Sequence, residues 1–214
     1  MQEGNRRIRE TDCRDVPECN FSDTLETYVT RPPADGSFMK QVKGKTAVFA
    51  GTFDPPTYGH IDIIRRSRRI FEKTIVMVGR NPEKEPLFNE QERVDMLREL
   101  LADWKDVEVE SYPGLTMDFV RRRGADFIVK GIRDGDDLRS ELRQANVNMI
   151  AGDVETVFLF TTDQTALISS TLIRQICEMG GLERGHLDRL VPPSVVKRMQ
   201  EKLMDQKSRP SEGT

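Results

Sequence analysis

The chain has little of what would place it outside a reducing compartment or inside a membrane. Three cysteines occur in 214 residues. Cys13, Cys19 and Cys177 are an odd, scattered set, which argues against a disulfide framework and for a reducing cytoplasm. Cys13 and Cys19 could be half of a metal site, yet the sequence supplies no nearby histidine or second cysteine pair to complete it. No run approaches the roughly 20 apolar residues of a membrane-spanning helix. The arginines near the start (Arg6, Arg7, Arg9) are not followed by the apolar segment of a secretory signal. A surplus of positive charge is missing too: a net charge of -3 excludes nucleic-acid binding by bulk electrostatics, so any positive field is local.

What is present is an alternation. From Thr46 onward short apolar runs alternate with helical patterns, the mark of repeated βαβ units on a parallel sheet. Strands are expected at Ala47–Ala50, Thr74–Val78, Val107–Glu110, Phe127–Lys130 and Thr156–Thr161. Helices are expected at His60–Phe71, Asn89–Leu101, Met117–Arg123, Asp137–Ile150, Ser170–Met179 and Ser194–Met204. The fold class that follows is α/β: a single doubly wound, Rossmann-like parallel sheet of five strands with helices on both faces and a C-terminal helical segment. Residues 1–43 have no sustained apolar period and read as a disordered extension, with Met39 as a possible natural start. Residues 44–205 form the domain, and residues 206–214 a flexible tail.

The stretch Thr46–Phe71 reads as a buried strand, a turn from Gly51 to Thr57, and a helix entered at Gly59 and His60 with apolar positions Ile61, Ile64, Ile70 and Phe71. A turn of this kind presents backbone N–H groups at a helix N-terminus, where dipole and orphan donors favour an anion. In an open parallel sheet, ligands bind beyond the carboxyl ends of the strands. That rule selects Gly51–Pro55, Asn81–Lys84, Tyr112–Thr116, Lys130–Arg133 and the hydroxyl-rich end of Thr161–Thr171. Glycines, cations and hydroxyls thus gather at one edge, a set suited to polyphosphate because hydroxyls orient it while Lys and Arg neutralise it. His60 alone next to a helix start is more often a cap or a surface group than a catalyst. No serine or cysteine stands beside it as a nucleophile, so covalent catalysis is not indicated.

Thr57-Tyr58-Gly59-His60 after Gly51-Thr52-Phe53-Asp54-Pro55 resembles the (H/T)xGH signature of the nucleotidylyltransferase superfamily. With Lys84, Lys130-Gly131-Ile132-Arg133 and Ile168-Ser169-Ser170-Thr171 in order, the chain from about Thr46 to Met204 resembles the bacterial phosphopantetheine adenylyltransferases. The resemblance implies adenylate transfer from ATP to 4'-phosphopantetheine, giving dephospho-coenzyme A and pyrophosphate. It implies His60, Thr52, Lys84 and Arg133 as catalytic residues. ATP would be bound by Gly51, Thr52, Phe53, His60, Gly131, Ile132, Arg133, Glu141 and the run Thr165, Ala166, Leu167, Ile168, Ser169, Ser170 and Thr171. Phosphopantetheine would be bound by Thr52, Lys84, Leu115, Thr116, Lys130 and Asn148. Mg2+ would arrive with ATP rather than in a protein cage. Coenzyme A as a feedback ligand and a homo-hexamer, without nucleic acid or membrane, complete what it implies. Held among phosphates, His60 is expected to carry a proton, since anions raise an imidazole pKa from about 6.5. Rival readings are a nicotinate or nicotinamide mononucleotide adenylyltransferase, a cytidylyltransferase, or a homologue that binds ATP or coenzyme A without catalysis.

The chain departs from the family pattern at Ala50, where Pro is usual, and at Lys130, where Arg is usual. It has Asp137-Leu138-Arg139-Ser140 where aromatics are common, Thr165 in place of an aromatic, and Thr171 in place of a third serine. Other features have plain readings. Arg65, Arg66, Arg68 and Arg69 suit a solvated or subunit-contacting helix face. Arg121, Arg122 and Arg123 suit a helix C-terminus. Met96, Met117, Met149 and Met179 suit core packing. Cys177 reads as a small buried apolar residue, and Trp104 has no functional reading.

Overall fold

The computed structural model describes residues 42–80, 85–162, 168–182 and 185–208. The expectations for residues 1–41, Lys84, Thr165, Ala166, Leu167 and the tail beyond 208 lie outside the described residues. Among the described residues the alternation becomes five strands and six helices: β1 (Val42–Gly51), α1 (Tyr58–Ile70), β2 (Phe71–Gly79), α2 (Glu90–Leu100), β3 (Val107–Tyr112), α3 (Thr116–Arg123), β4 (Phe127–Ile132), α4 (Gly135–Gly152), β5 (Glu155–Phe160), α5 (Ser170–Glu178) and α6 (Pro193–Ser208). β1 therefore takes Val42 and Lys43 into the sheet, and α6 continues past Gln206.

All strand pairs are parallel, in the order β3-β2-β1-β4-β5. β1 is central: Ala47, Val48 and Phe49 face Thr74, Ile75 and Val76 on one side and Phe127, Ile128 and Val129 on the other. Period-two alternation splits its side chains between two cores. Ala47 and Phe49 pack with Ile63 and Ile64 of α1 and with Val94 and Leu97 of α2. Val48 and Ala50 pack with Phe119 and Val120 of α3. A third cluster joins Phe88 and Met96 to Ile173 and Cys177 of α5 and to Val195 and Met199 of α6. Cys177 is buried as expected, and burial pushes its thiol up to about 11. Ala50 lies within β1, opposite Met77, so the ladder fixes it where a proline would have.

Helix ends follow local chemistry. Asn89 caps α2 by accepting from Glu92 N, and the Glu92 carboxylate accepts from Asn89 N in return, a reciprocal capping box. Gly124 ends α3 in the left-handed region, at φ 59°, where a side chain would be strained. Phe71 corrects the helix read from the sequence. The chain turns extended there (φ -104°, ψ 152°), and Phe71 opens β2 with its ring 5.4 Å from that of Phe127. The buried face of α1 is instead Gly59, Asp62, Ile63, Ile64 and Ser67, and Ser67 Oγ lies 3.0 Å from Thr74 Oγ1 of β2.

Three further plain readings are revised. Arg66 donates to Phe160 O, Arg68 bonds both Asp106 oxygens at 2.8–2.9 Å, and Arg65 pairs with Asp62 at 2.5 Å, so three of the four arginines have partners within the chain. The Arg68 guanidinium also sits 4.5 Å above the Trp104 ring, which packs against the first core cluster. Trp104 is thus a hydrophobic and cation–π platform. Met96 is core, but Met149 and Met179 are exposed, Met179 at 77 %. Their helices turn those positions outward.

Candidate active site

The site forms where β1 and β4, neighbours in the sheet, send their chains in opposite directions, the crevice that open α/β sheets use for ligands. After Gly51 the turn takes Phe53 into the left-handed region, at φ 51°. The Phe53 ring is buried, edge-on to Phe49 at 5.4 Å and to His60 at 4.9 Å. Asp54, also buried, accepts from Leu87 N and Phe88 N, each at 2.9 Å, and from Arg174 Nη1 at 2.8 Å. Arg174 Nη1 donates to Asp54 O as well, at 2.6 Å, and Ser170 Oγ donates to Pro55 O at 2.8 Å. One carboxylate therefore locks together the first turn, the approach to α2 and the start of α5.

Thr57 is the N-cap of α1, and it both gives to and receives from His60. Thr57 N donates to Nδ1 at 3.0 Å, and His60 N donates to Thr57 Oγ1 at 3.4 Å. An Nδ1 that accepts leaves the proton of a neutral ring on Nε2. The bland reading of His60 as a cap and the functional one are both realised, because the ring also lines the cleft. The α1 terminus itself is largely committed: Tyr58 N donates to Leu190 O at 3.1 Å, so what α1 offers the cleft is chiefly the imidazole.

Burial and, second, the Arg133 charge push the His60 pKa down to about 4. In the free protein the ring is neutral at pH 7, and the protonated ring expected among phosphates concerns the substrate-bound site. The sign of the linkage follows. The unfolded chain, with an ordinary pKa near 6.5, takes up the proton first as pH falls. Stability from this group is complete above pH 6.5 and is lost as pH falls toward 4, amounting to about 2 kcal/mol lost by pH 5. Urea midpoints at pH 7 and pH 5 check this. The drop should be smaller in His60→Asn than in the parent, and an equal drop in both removes His60 from the titration.

Opposite His60 stand two cations, each held by a carboxylate of α4. Lys130 Nζ lies 3.2 Å from Glu141 Oε2. Arg133 donates from Nε and Nη2 to the two Asp137 oxygens at 2.6 and 2.8 Å, and from its backbone N at 3.3 Å. That fork raises the Arg133 pKa and lowers that of Asp137. Gly131 lies between them because a Cβ there would come to 2.9 Å from Ile63 of α1, too close for any side chain to fit unshifted.

These groups surround a cavity of about 430 Å³. Of the residues expected in the site, Gly51, Thr52, His60, Lys130, Gly131, Arg133 and Glu141 line it, as do Ile168, Ser169, Ser170 and Thr171. Phe53 and Ile132 support it from the core. Leu115, Thr116 and Asn148 do not line it: Leu115 is exposed, Thr116 opens α3, and Asn148 is buried in α4 within 3.4 Å of Gln144 Nε2. Thr57 at the helix entry and Thr161 beyond β5 line the cavity as the topology selected, whereas Ile63 and Asp137 line it without having been expected there. Asp137 carried a signal, standing four residues after Arg133 at helical spacing. Among the described residues no cluster of three potential ligands could hold a metal ion, and no helix is long and apolar enough to cross a membrane.

Comparison with known proteins agrees with this geometry. Residues 48–176 match the family model described as cytidylyltransferase-like. The chain is 43% identical over 165 residues to the phosphopantetheine adenylyltransferase of Nitratidesulfovibrio vulgaris strain DP4, covering 77% of this chain and 87% of that protein. It is 41% identical over 158 residues to the phosphopantetheine adenylyltransferase of Synechococcus sp. strain JA-3-3Ab, covering 73% and 97%.

Proposed function

Because the chain belongs to the phosphopantetheine adenylyltransferase family, we propose a division of labour among its residues in the reaction it performs. It transfers adenylate from ATP to 4'-phosphopantetheine, giving dephospho-coenzyme A and pyrophosphate, a step of coenzyme A biosynthesis. A phosphate oxygen of the acceptor attacks the α-phosphorus of ATP in line. The bond from that phosphorus to the bridging oxygen breaks, and its electron pair leaves with pyrophosphate. No enzyme-bound intermediate is needed, so catalysis consists of alignment and charge stabilisation.

The observation that carries this reading is the convergence of His60, Lys130, Arg133 and the Ser169–Thr171 hydroxyls on one cavity. His60 donates a hydrogen bond from Nε2–H to a phosphate oxygen, and that bond strengthens as charge builds in the transition state. Arg133, whose Nε and Nη2 are held by Asp137, turns its remaining Nη1 edge to the triphosphate. Ser169, Ser170 and Thr171, at the N-terminus of α5, bind the same group, with Glu141 near the nucleotide. Thr52 with Lys84 and Lys130 holds the acceptor phosphate. Phe53, Gly131 and Ile132 support the nucleotide, Thr165, Ala166, Leu167 and Ile168 are assigned to binding it, and Leu115, Thr116 and Asn148 serve the pantetheine arm from outside the cavity. Magnesium would come with the ATP phosphates, and among the described residues no carboxylate cluster forms a cage for it.

A pyrophosphate-release assay with ATP and a panel of phosphorylated acceptors tests this reading. Release is expected with 4'-phosphopantetheine. Turnover on nicotinate or nicotinamide mononucleotide instead would overturn the acceptor, and no release with any acceptor would favour the non-catalytic rival.

Assembly into a homo-oligomer, a hexamer by family, is supported by apolar side chains left in the open. Leu142, Val147 and Ile150 of α4 are exposed, and so is Phe160 on the edge strand β5. Patches of this kind mark interaction surfaces. Ile150→Arg, at 86 % exposure, is expected to lower the mass measured by light scattering to that of a smaller assembly with the fold intact. An unchanged mass would place the contact elsewhere.

A further inference from the structure

Arg93 of α2 is a buried cation outside the cavity lining. It is 5 % exposed, and its guanidinium faces backbone carbonyls: Nη1 donates to Thr52 O at 2.6 Å and to Gly79 O at 3.1 Å, and Nε to Asn89 O at 3.3 Å. No carboxylate among the described residues pairs with it. Arginine cannot discharge itself by losing a proton, so the full charge stays in the interior. Buried charges are normally paired, because carbonyl dipoles return only part of the hydration that burial removes.

Its position says what the charge is for. Gly79 ends β2 and Thr52 follows β1, so a single Nη1 joins the carboxyl ends of two adjacent strands. Thr52 is the lining residue of the first turn on that side of the cavity. Holding its carbonyl from behind fixes the direction of its N–H and hydroxyl. It also puts an unneutralised positive charge directly behind the place where an anion would meet Thr52. On the other side of the cavity, Lys130 and Arg133 are each already engaged by a carboxylate.

We infer that Arg93 is a positioning residue for the phosphate of the acceptor: it braces Thr52 between β1 and β2 and supplies buried positive charge behind it. The inference rests on the proposed role of Thr52 at that phosphate. Neither a capping role nor simple core packing requires a guanidinium here. α2 already has its cap in Asn89, and Val94, Met96 and Leu97 already supply its apolar face.

The test uses Arg93→Met and Arg93→Lys in the full chain, with thermal unfolding followed so that affinities are measured where each variant is folded. Calorimetric titration compares 4'-phosphopantetheine with pantetheine, which lacks the phosphate. Arg93→Met is expected to lower the affinity ratio of the two ligands about tenfold, with pantetheine binding and the KM for ATP changed less than twofold. Arg93→Lys keeps the charge with fewer hydrogen bonds and is expected to show a smaller fall in the same ratio. An unchanged ratio in both variants overturns the inference, as does a parallel loss for both ligands, which would make Arg93 a structural tie only. Thr52→Ala, titrated alongside, separates the two readings. If it lowers the ratio while the Arg93 variants do not, the inference alone fails. If it leaves the ratio intact, the role given to Thr52 fails as well.

Discussion

His60→Ala is expected to keep its fold and lose about 10²- to 10³-fold in kcat, the scale on which removal of one preorganised donor acts when charge develops in a transition state. The KM for ATP should move little, because a contact that strengthens only at the transition state contributes little to ground-state binding. The complication is that His60 also closes the cap of α1 through Thr57 N. Its loss costs about 1 kcal/mol of stability. The turn itself should survive, since it is anchored independently by Asp54 to Leu87, Phe88 and Arg174. His60→Asn isolates the chemistry: its amide can still accept from Thr57 N, so the melting temperature should return toward that of the parent while kcat stays low. A near-normal kcat in His60→Ala would remove the residue from the mechanism.

The second large effect belongs to Asp54 and is one of stability. Its carboxylate is 3 % exposed and satisfies two backbone N–H groups and a guanidinium. Asp54→Ala leaves the two N–H groups without their acceptor and the guanidinium with only the backbone carbonyl of residue 54, and breaking a buried ion pair from one side costs about 3–5 kcal/mol. Urea unfolding should show that loss. Adding Arg174→Met to Asp54→Ala should recover part of it, because the stranded cation is then gone too. The KM for ATP should also rise in Asp54→Ala, since the same carboxylate holds Arg174 and so seats the start of α5, where Ser169, Ser170 and Thr171 reach the cavity. A double variant no more stable than Asp54→Ala would mean that Arg174 finds other partners at no cost.

Much of the fold was legible because it rests on short-range pattern. The five apolar runs became the five strands, four of them extended by a few residues, as at Val42–Lys45 of β1 and Ser111–Tyr112 of β3, and the fifth shifted back by one residue. Asn89 announced its cap by chemistry alone. Phe71 was misplaced because helix α1 passes into β2 without a turn residue between them, and an apolar residue fits either period. The cavity residues on the strand ends were legible too, since strand position and topology together select them.

What was not legible is mostly pairing over long separations. Asp54 meets Arg174 across 120 positions, and Arg93 meets Thr52 across 41. No local pattern encodes such partners. The lowered pKa of the free His60 ring was not legible for the same reason: its neighbours in sequence do not reveal that Phe49, Phe53 and Arg133 lie about the ring. Met149 and Met179 have helical periodicity like that of core residues, yet they lie on faces that this chain does not itself cover.

The central place of β1 has a consequence for how such an enzyme diverges. The connection after β2 leaves on one flank of the first turn and Lys130–Arg133 on the other, with Gly51–Thr57 between them. The ladder of β1 to β2 and that of β1 to β4 are separate sets of hydrogen bonds. Replacements on the nucleotide side, such as at Asp137 and Glu141 of α4, can accumulate without disturbing Thr52 on the acceptor side. Donor and acceptor preferences are therefore free to drift separately, and a lineage can change one substrate while retaining the other.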